Sequence, residues 1–375
     1  MIQPIWNQWK PRKALDNYPW HTELDTLFTW LKTQSSDMQC FVFDVMMSLA
    51  YIETTTNIVD VLETCPNTPA PYNAQIGFIN LCAPCYTQAS KWKFQKAGKP
   101  SSGALGKISS EMVLKFIENL NHHIADSKII GGTETIDAAL LTHSGQLILA
   151  EIKSAPLLTY PILFRLPENT LTHLQHEKVE ITQSQLKNCE TALFLHHGDV
   201  IPLGTVGDMN WPFAGAIEFM VNSTSQSSMT QAKENWLQAK NAYIHKDKNQ
   251  PIFYLTNACG KPPVAAIQQG FPKSESISDS KTSAGLDRTD DIKKGIYQTF
   301  KIATEYADNP NIQTALLSNL PAYRHHNEYI ATFVDILWGR EQDLHENNLP
   351  LEKLNRVFDY IITLDTQHSV LRGQL

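Results

Sequence analysis

The segment Ile136-Asp137-Ala138-Ala139-Leu140-Leu141-Thr142-His143-Ser144-Gly145-Gln146-Leu147-Ile148-Leu149-Ala150-Glu151-Ile152-Lys153 decides how this chain is read. Two short apolar runs, Ile136 to Leu141 and Leu147 to Ile152, flank a polar stretch containing a glycine, which is the pattern of a β-hairpin. If the loop is His143-Ser144-Gly145, with Gly145 in the left-handed conformation that such a loop needs at its last position, Thr142 pairs with Gln146. Counting back from that pair, Leu140 faces Ile148, Ala138 faces Ala150 and Ile136 faces Ile152, all apolar. Side chains alternate between faces along a strand, so Asp137 then falls opposite Glu151, with Lys153 two residues farther along the same face. A two-residue loop would instead turn Asp137 onto the core face and bury an unpaired carboxylate, which is strongly unfavourable.

Two carboxylates on facing positions stand roughly 5 Å apart at Cβ. They repel unless a cation lies between them, and oxygen ligands of this kind suit Mg²⁺. A lysine on the same face could hold a water as the ammonium or deprotonate it as the amine, or neutralise charge developing on a phosphoryl group. A metal held by acids beside a lysine therefore fits phosphodiester hydrolysis. The plainer alternative is a solvated hairpin face whose cross-strand ion pair is worth under about 1 kcal/mol. Leu141, Leu147 and Leu149 share that face, which argues that it is at least partly covered.

A helix is predicted ahead of the hairpin, because Val113, Phe116, Ile117 and Leu120 recur at helical spacing behind two serines suited to capping, with Glu111 in the first turn. Taken together, Asp137, thirteen intervening residues and Glu151-Ile152-Lys153 on the second arm of a hairpin resemble the PD-(D/E)xK nuclease superfamily. The chain size and the regions elaborated around that core look most like a type II restriction endonuclease. The resemblance implies an α/β fold, a mixed central β-sheet flanked by helices in a restriction-endonuclease-like core. It implies that Asp137, Glu151 and Glu111 bind catalytic Mg²⁺ and that Lys153 assists the attacking water. It also implies double-stranded DNA as substrate, 5′-phosphate and 3′-hydroxyl ends, and a homodimer if the target is palindromic. Two departures stand out: Ile136 rather than Pro precedes Asp137, and the helix and strand that normally follow are best matched by Thr289 to Tyr306 and Thr314 to Leu317, beyond an insertion of more than a hundred residues.

Other constellations compete. Asp279-Ser280-Lys281 is a second candidate triplet, since Asp can replace Glu in the motif and a helix and strand follow it. Its alternative reading is a loop near DNA, with Lys281 and Arg288 toward phosphates and Lys294 and Gln298 one turn apart on the next helix. Lys91-Trp92-Lys93-Phe94-Gln95-Lys96 interleaves cations with aromatics: Lys91, Lys93 and Lys96 are phosphate-binding candidates, while Trp92 and Phe94 either pack or stack on bases. Cys82-Ala83-Pro84-Cys85 with Cys65 offers part of a zinc ligand set, but the second pair of a regular spacing is missing.

The chain has 375 residues, 42% hydrophobic and 18% charged, so it is globular and not disordered, with room for two domains or one carrying large insertions. Its net charge of -7 speaks against non-specific coating of nucleic acid, yet residues 64–110 contain five lysines and no acid, giving +5 locally and leaving -12 for the rest. The longest apolar stretch, Phe41 to Tyr51, is too short for a bilayer and is broken by Asp44, so no membrane association is expected. Six scattered cysteines and an N-terminus without an apolar signal core point to a reducing cytoplasm. The expected organisation is a mainly helical region with the basic segment over 1–100, a nuclease core over 101–345 with an inserted region at about 196–280, and a C-terminal helix within 346–375, read from the pattern over 349–364. Beyond the hairpin, strands are expected at 192–196, 214–221 and 251–256 and a helix at 231–243. Two other functions remain open from the residues alone: a repair or structure-selective nuclease using the same site, and a non-catalytic DNA-binding or defence-associated module.

Overall fold

The computed structural model describes residues 3–8, 21–55, 61–98, 100, 102–130, 136–167, 176–257, 259–278, 283–338, 355–365 and 370–371. In chain order the helices are α1 (Gln3–Gln8), α2 (His21–Leu31), α3 (Ser36–Thr55), α4 (Ala83–Ala89), α5 (Ser102–Leu120), α6 (Gln183–Leu186), α7 (Phe213–Val221), α8 (Gln226–His245), α9 (Val264–Gln268), α10 (Thr289–Glu305) and α11 (Ala331–Val334). The strands are β1 (Val61–Thr64), β2 (Ala74–Ile76), β3 (Ile124–Ile129), β4 (Ala138–Thr142), β5 (Leu147–Ile152), β6 (Ile162–Phe164), β7 (Lys178–Glu180), β8 (Glu190–Phe194), β9 (Val200–Thr205), β10 (Ile312–Ser318), β11 (Leu337–Trp338), β12 (Asn355–Arg356), β13 (Tyr360–Thr363) and β14 (Val370–Leu371). The fold is mixed α/β, with sheets flanked by helices. No helix among the described residues is long and apolar enough to cross a membrane.

The chain divides into two compact units, one of residues 1–16, 109–155 and 283–375, the other of residues 17–108 and 156–282. This division differs from the expected one. The N-terminal hundred residues are not a region of their own, and the insertion begins at 156 rather than near 196. The reason lies in strand pairing: β1 and β2 pair with each other, and their other edges are completed by β7 and β6 from the insertion. The segment 61–76 therefore finds its sheet partners about a hundred residues downstream, and only together do the two stretches close a six-stranded sheet, ordered β7-β1-β2-β6-β8-β9.

The first unit holds the hairpin. Its sheet runs β14-β13-β10-β5-β4-β3, with β3, β4 and β5 antiparallel and β5, β10 and β13 parallel. All six residues of β5 are buried, as befits a central strand covered on both faces. The hairpin register is the one that the three-residue loop requires: Ala138 pairs with Ala150, Leu140 with Ile148, and Thr142 N donates to Gln146 O. Gly145 has φ +82°, the left-handed conformation expected at the end of that loop.

Helix α10 begins at Thr289, with Arg288 as its cap residue, and buries Ile292, Gly295, Ile296, Thr299 and Ile302. Its two ends serve two cores. Ile302 packs with Trp6, Ala139, Leu147 and Leu149, while Ile292 and Ile296 join Leu316, Phe358 and Ile361. The leucines at 147 and 149, on the face that also bears Glu151, are thus covered, as their composition suggested.

Three local expectations are overturned. Residues 214–221 form helix α7, not a strand: Phe213, Ala216, Ile217 and Met220 are the buried set, a helical spacing masked by the continuous apolar run. Residues 251–255 form a 3₁₀ turn with Pro251 in its first position, where a missing N–H is harmless. The expected C-terminal helix is replaced, in the part of 346–375 that is described, by β12 and β13. Tyr360-Ile361-Ile362-Thr363 is fully buried and pairs in parallel with Ala315 to Ser318, and β-branched side chains favour that extended, covered position over a helix.

Candidate active site

The β4–β5 hairpin brings Asp137, Glu151 and Lys153 together. The regular ladder ends at Ala138–Ala150, one residue short of Asp137. There the Asp137 carboxylate takes over from the backbone: its Oδ2 accepts the Ile152 N–H at 3.0 Å, while Asp137 N donates to Ala150 O at 3.0 Å. Both bonds hold the acid beside the last turn of β5, next to Glu151. The Lys153 ammonium bridges the two acids, donating to Glu151 Oε1 and lying 4.0 Å from Asp137 Oδ2. Glu151 is buried, whereas the Asp137 side chain is 41% exposed, so the cluster is open on one side.

Burial pushes the Glu151 carboxyl up to about 7, and the nearby Asp137 charge and hydrogen bond push the same way against the opposing pull of Lys153. A buried acid beside a second acid binds its proton tightly because neither water nor enough positive charge stabilises the anion. A divalent cation would supply that charge. Perturbation of this kind, with a specific charge partner at an open edge, is common at functional sites.

The shell around the cluster was not visible in the sequence. Lys153 N donates to Leu317 O at 3.0 Å, continuing the parallel ladder to β10. Asn319 then clamps the next turn of chain, donating from Nδ2 to Ala155 O at 2.8 Å and accepting from Ala155 N at 3.1 Å. Gly295 of α10 allows the helix to approach closely: a Cβ there would sit 2.8 Å from Leu316 Cδ1 and 3.5 Å from Lys153 Cγ. Ser109 of α5 bonds the Ser154 hydroxyl at 2.5 Å and the Ser154 carbonyl at 3.1 Å, fixing this stretch of α5 to the end of β5. Glu111 lies two residues beyond, buried. It is not in the first turn as expected, because α5 starts at Ser102 and the two serines are interior. The helix runs through Gly103 and Gly106, a stretch whose weak propensity hid its true start.

The candidate DNA contacts are scattered. Lys294 is exposed on α10, and Arg288 at the helix start pairs with Asp291 at 3.3 Å. Asp279, Ser280 and Lys281 lie outside the described residues. Lys91, Lys93 and Lys96 belong to the second unit, where all three are exposed. Between them Trp92 packs against Tyr86 and Tyr254, each ring 4.7 Å away, and these aromatics with Lys248 line a cavity of about 370 Å³. Phe94 packs edge-on to Phe271 at 5.5 Å. The second unit also gathers Cys65, Cys82 and Cys85 around His176, a residue that no spacing in the sequence pointed to.

Comparison with known proteins adds no identity to this geometry: no family model, no curated protein and no solved structure matches the chain.

Proposed function

We propose that this chain is a Mg²⁺-dependent endonuclease of the PD-(D/E)xK type, cutting double-stranded DNA at a specific sequence as type II restriction endonucleases do. The observation that carries the reading is the Asp137–Glu151–Lys153 cluster at the end of a central strand, in a unit ordered α5-β3-β4-β5-α10-β10 with β5 and β10 parallel. That order agrees with the core which the hairpin motif implies, the helix and strand after the lysine strand arriving once the segment 156–282 has been passed.

The donor set fits the ion. Asp137 and Glu151 offer carboxylate oxygens next to one another, with Glu111 on the adjoining helix as a further candidate, and hard oxygen donors suit Mg²⁺. Mg²⁺ held there would neutralise charge on the scissile phosphate and its leaving oxygen. The chain's own residues do the rest. Glu151 would hold the ion as a carboxylate, its proton having passed to solvent, and the ion would share with Lys153 the balancing of that charge. Lys153 then orients a water toward the phosphorus and offsets the negative charge that grows there. Within the unit that carries the hairpin, the exposed Lys294 of α10 would supply a phosphate contact that positions the duplex without reading it.

Digestion of defined plasmid DNA with Mg²⁺ tests the proposal. Discrete fragments from the parent chain, lost with Glu151→Ala and retained with Asp279→Ala, support it. Loss only with Asp279→Ala would move the site to that loop. A folded parent chain that binds the duplex without cutting it would indicate a binding module instead, and cutting confined to nicked or branched substrates a structure-selective nuclease.

A further inference from the structure

The sulfur cluster of the second unit is assembled from three separate segments. Antiparallel pairing of β1 with β7 sets Glu63 opposite Lys178, and Thr64 N donates to Glu177 O at 2.8 Å, so Cys65 and His176 emerge side by side from the ends of the two strands. Cys82 and Cys85 come from the start of α4, where Cys82 is the cap residue and Pro84 lies in the first turn. Backbone bonds tie this turn to the lysine segment: Cys82 N donates to Lys93 O at 2.9 Å and Lys91 N to Cys85 O at 3.1 Å.

The four ligand atoms, three Sγ and the His176 Nε2, lie within 4.8 Å of one another. Cys65 Sγ is 3.5 Å from Cys85 Sγ and 3.7 Å from Cys82 Sγ, and His176 Nε2 is 2.8 Å from Cys85 Sγ and 4.0 Å from Cys65 Sγ. A Zn–S bond of about 2.3 Å in a tetrahedron implies S···S edges of roughly 3.8 Å. The separations are far beyond the S–S bond of about 2.05 Å. They are also too small for anything larger than a single ion at the centre.

The surroundings treat the sulfurs as acceptors. Gln75 Nε2 donates to Cys82 Sγ at 2.9 Å and Asn67 Nδ2 donates to Cys85 Sγ at 3.2 Å, which suits thiolates held by a metal and stabilised from outside. All three cysteines are buried and His176 is half-buried, and four protein ligands leave no open coordination position, as in structural zinc sites. We propose that Cys65, Cys82, Cys85 and His176 bind one structural Zn²⁺, which locks the β1–β7 edge to the start of α4 and to the Lys91–Lys96 segment. Three thiolates around Zn²⁺ leave a charge of -1. The acid-free, lysine-rich composition of 64–110 then compensates a buried anionic centre as well as offering exposed cations.

Metal analysis of the full chain, purified without chelators, is the test and needs no DNA. The expected result is one zinc per chain. Cys85→Ser and His176→Ala should each weaken zinc retention against a chelator at least about tenfold, loss of a hydrogen bond to a ligand alone being worth that much, while Cys189→Ser, outside the cluster, should not. If those variants do not fold, the unsubstituted chain decides: exchange of zinc for Co²⁺ should give the visible bands of a tetrahedral S₃N site. A folded chain that contains no zinc and gives no such bands with Co²⁺ overturns the proposal, as does a disulfide between Cys65 and Cys85.

Discussion

The hairpin acids and the sulfur cluster are both sets of polar side chains drawn together at the ends of strands, but they are built in opposite ways. The first is local: Asp137 and Lys153 are the two arms of one hairpin, and a single turn with a left-handed Gly145 sets their register. The second joins Cys65 to a histidine 111 residues away through a strand pair that the whole second unit must fold to make. The hairpin cluster presents hard oxygens and an ammonium with Asp137 partly open to solvent, whereas the sulfurs are enclosed and hydrogen-bonded by amides. An open, electrostatically strained cluster suits chemistry, and a closed, satisfied one suits holding a fold together.

Substitutions should separate the two most sharply in cleavage. Glu151→Ala or Asp137→Ala is expected to lower the rate by on the order of a thousandfold or more, with near-normal folding by circular dichroism, because under the proposed function the acids contribute charge at the reacting phosphate and little packing. Retained cleavage in both variants would sink the catalytic reading of the hairpin. The sulfur cluster should behave inversely. Cys85→Ser, or removal of zinc by a chelator, is expected to lower the melting temperature by ten degrees or more, on the order of several kcal/mol, because metal affinity is folding energy. An unchanged melting curve would erase the contrast.

This difference also explains which parts of the molecule were legible. The hairpin register, α10 and β10 followed from alternation, one glycine and helical spacing, all signals contained within about twenty residues. The sequence pattern places Glu111 in a first turn, whereas α5 begins at Ser102, because Gly103 and Gly106 weaken the helical pattern ahead of it. Residues 213–221 are apolar almost throughout, so period alone could not choose between helix and strand. His176 and the true extent of the insertion depend on the pairing of β1 with β7, information that no local window holds. Asn319, which clamps Ala155 beside the cluster, is invisible for the same reason.

The hairpin acid should also reveal itself through pH. Glu151 titrates near 7 in the folded chain against an ordinary 4.5, so the native state binds its proton more tightly than the unfolded state does. The stability that this proton confers is present in full below about 4.5 and is lost as the pH rises through 7. Glu151→Gln, which stays neutral, should therefore exceed the parent chain in stability by up to about 3 kcal/mol near pH 8 without Mg²⁺, and the gain should fade toward pH 4.5. Urea denaturation across that range measures it. A gain that does not change with pH would mean that burial and Asp137 do not perturb this carboxyl.

Asp44 of α3 gives the smallest effect and the finest distinction. Burial pushes its carboxyl, like that of Glu151, up to about 7. Its oxygens, however, accept three N–H groups: Leu157 N at 3.2 Å on Oδ1, and Leu158 N at 2.9 Å and Trp236 Nε1 at 2.8 Å on Oδ2. Asparagine has one acceptor oxygen, so Asp44→Asn must turn an amide N–H₂ toward at least one buried N–H donor. A buried donor left unpaired costs about 1–3 kcal/mol. At about pH 5 both carboxyls are protonated in the folded chain, and there Glu151→Gln should match or slightly exceed the parent chain while Asp44→Asn should lose about 1–3 kcal/mol. Two acids with the same displaced titration thus respond oppositely to the same neutralisation. What tells them apart is the count of donors around each: the acid ringed by N–H groups is satisfied by its scaffold, and the acid left with a lysine and another acid is the one to which the proposed function gives a cation.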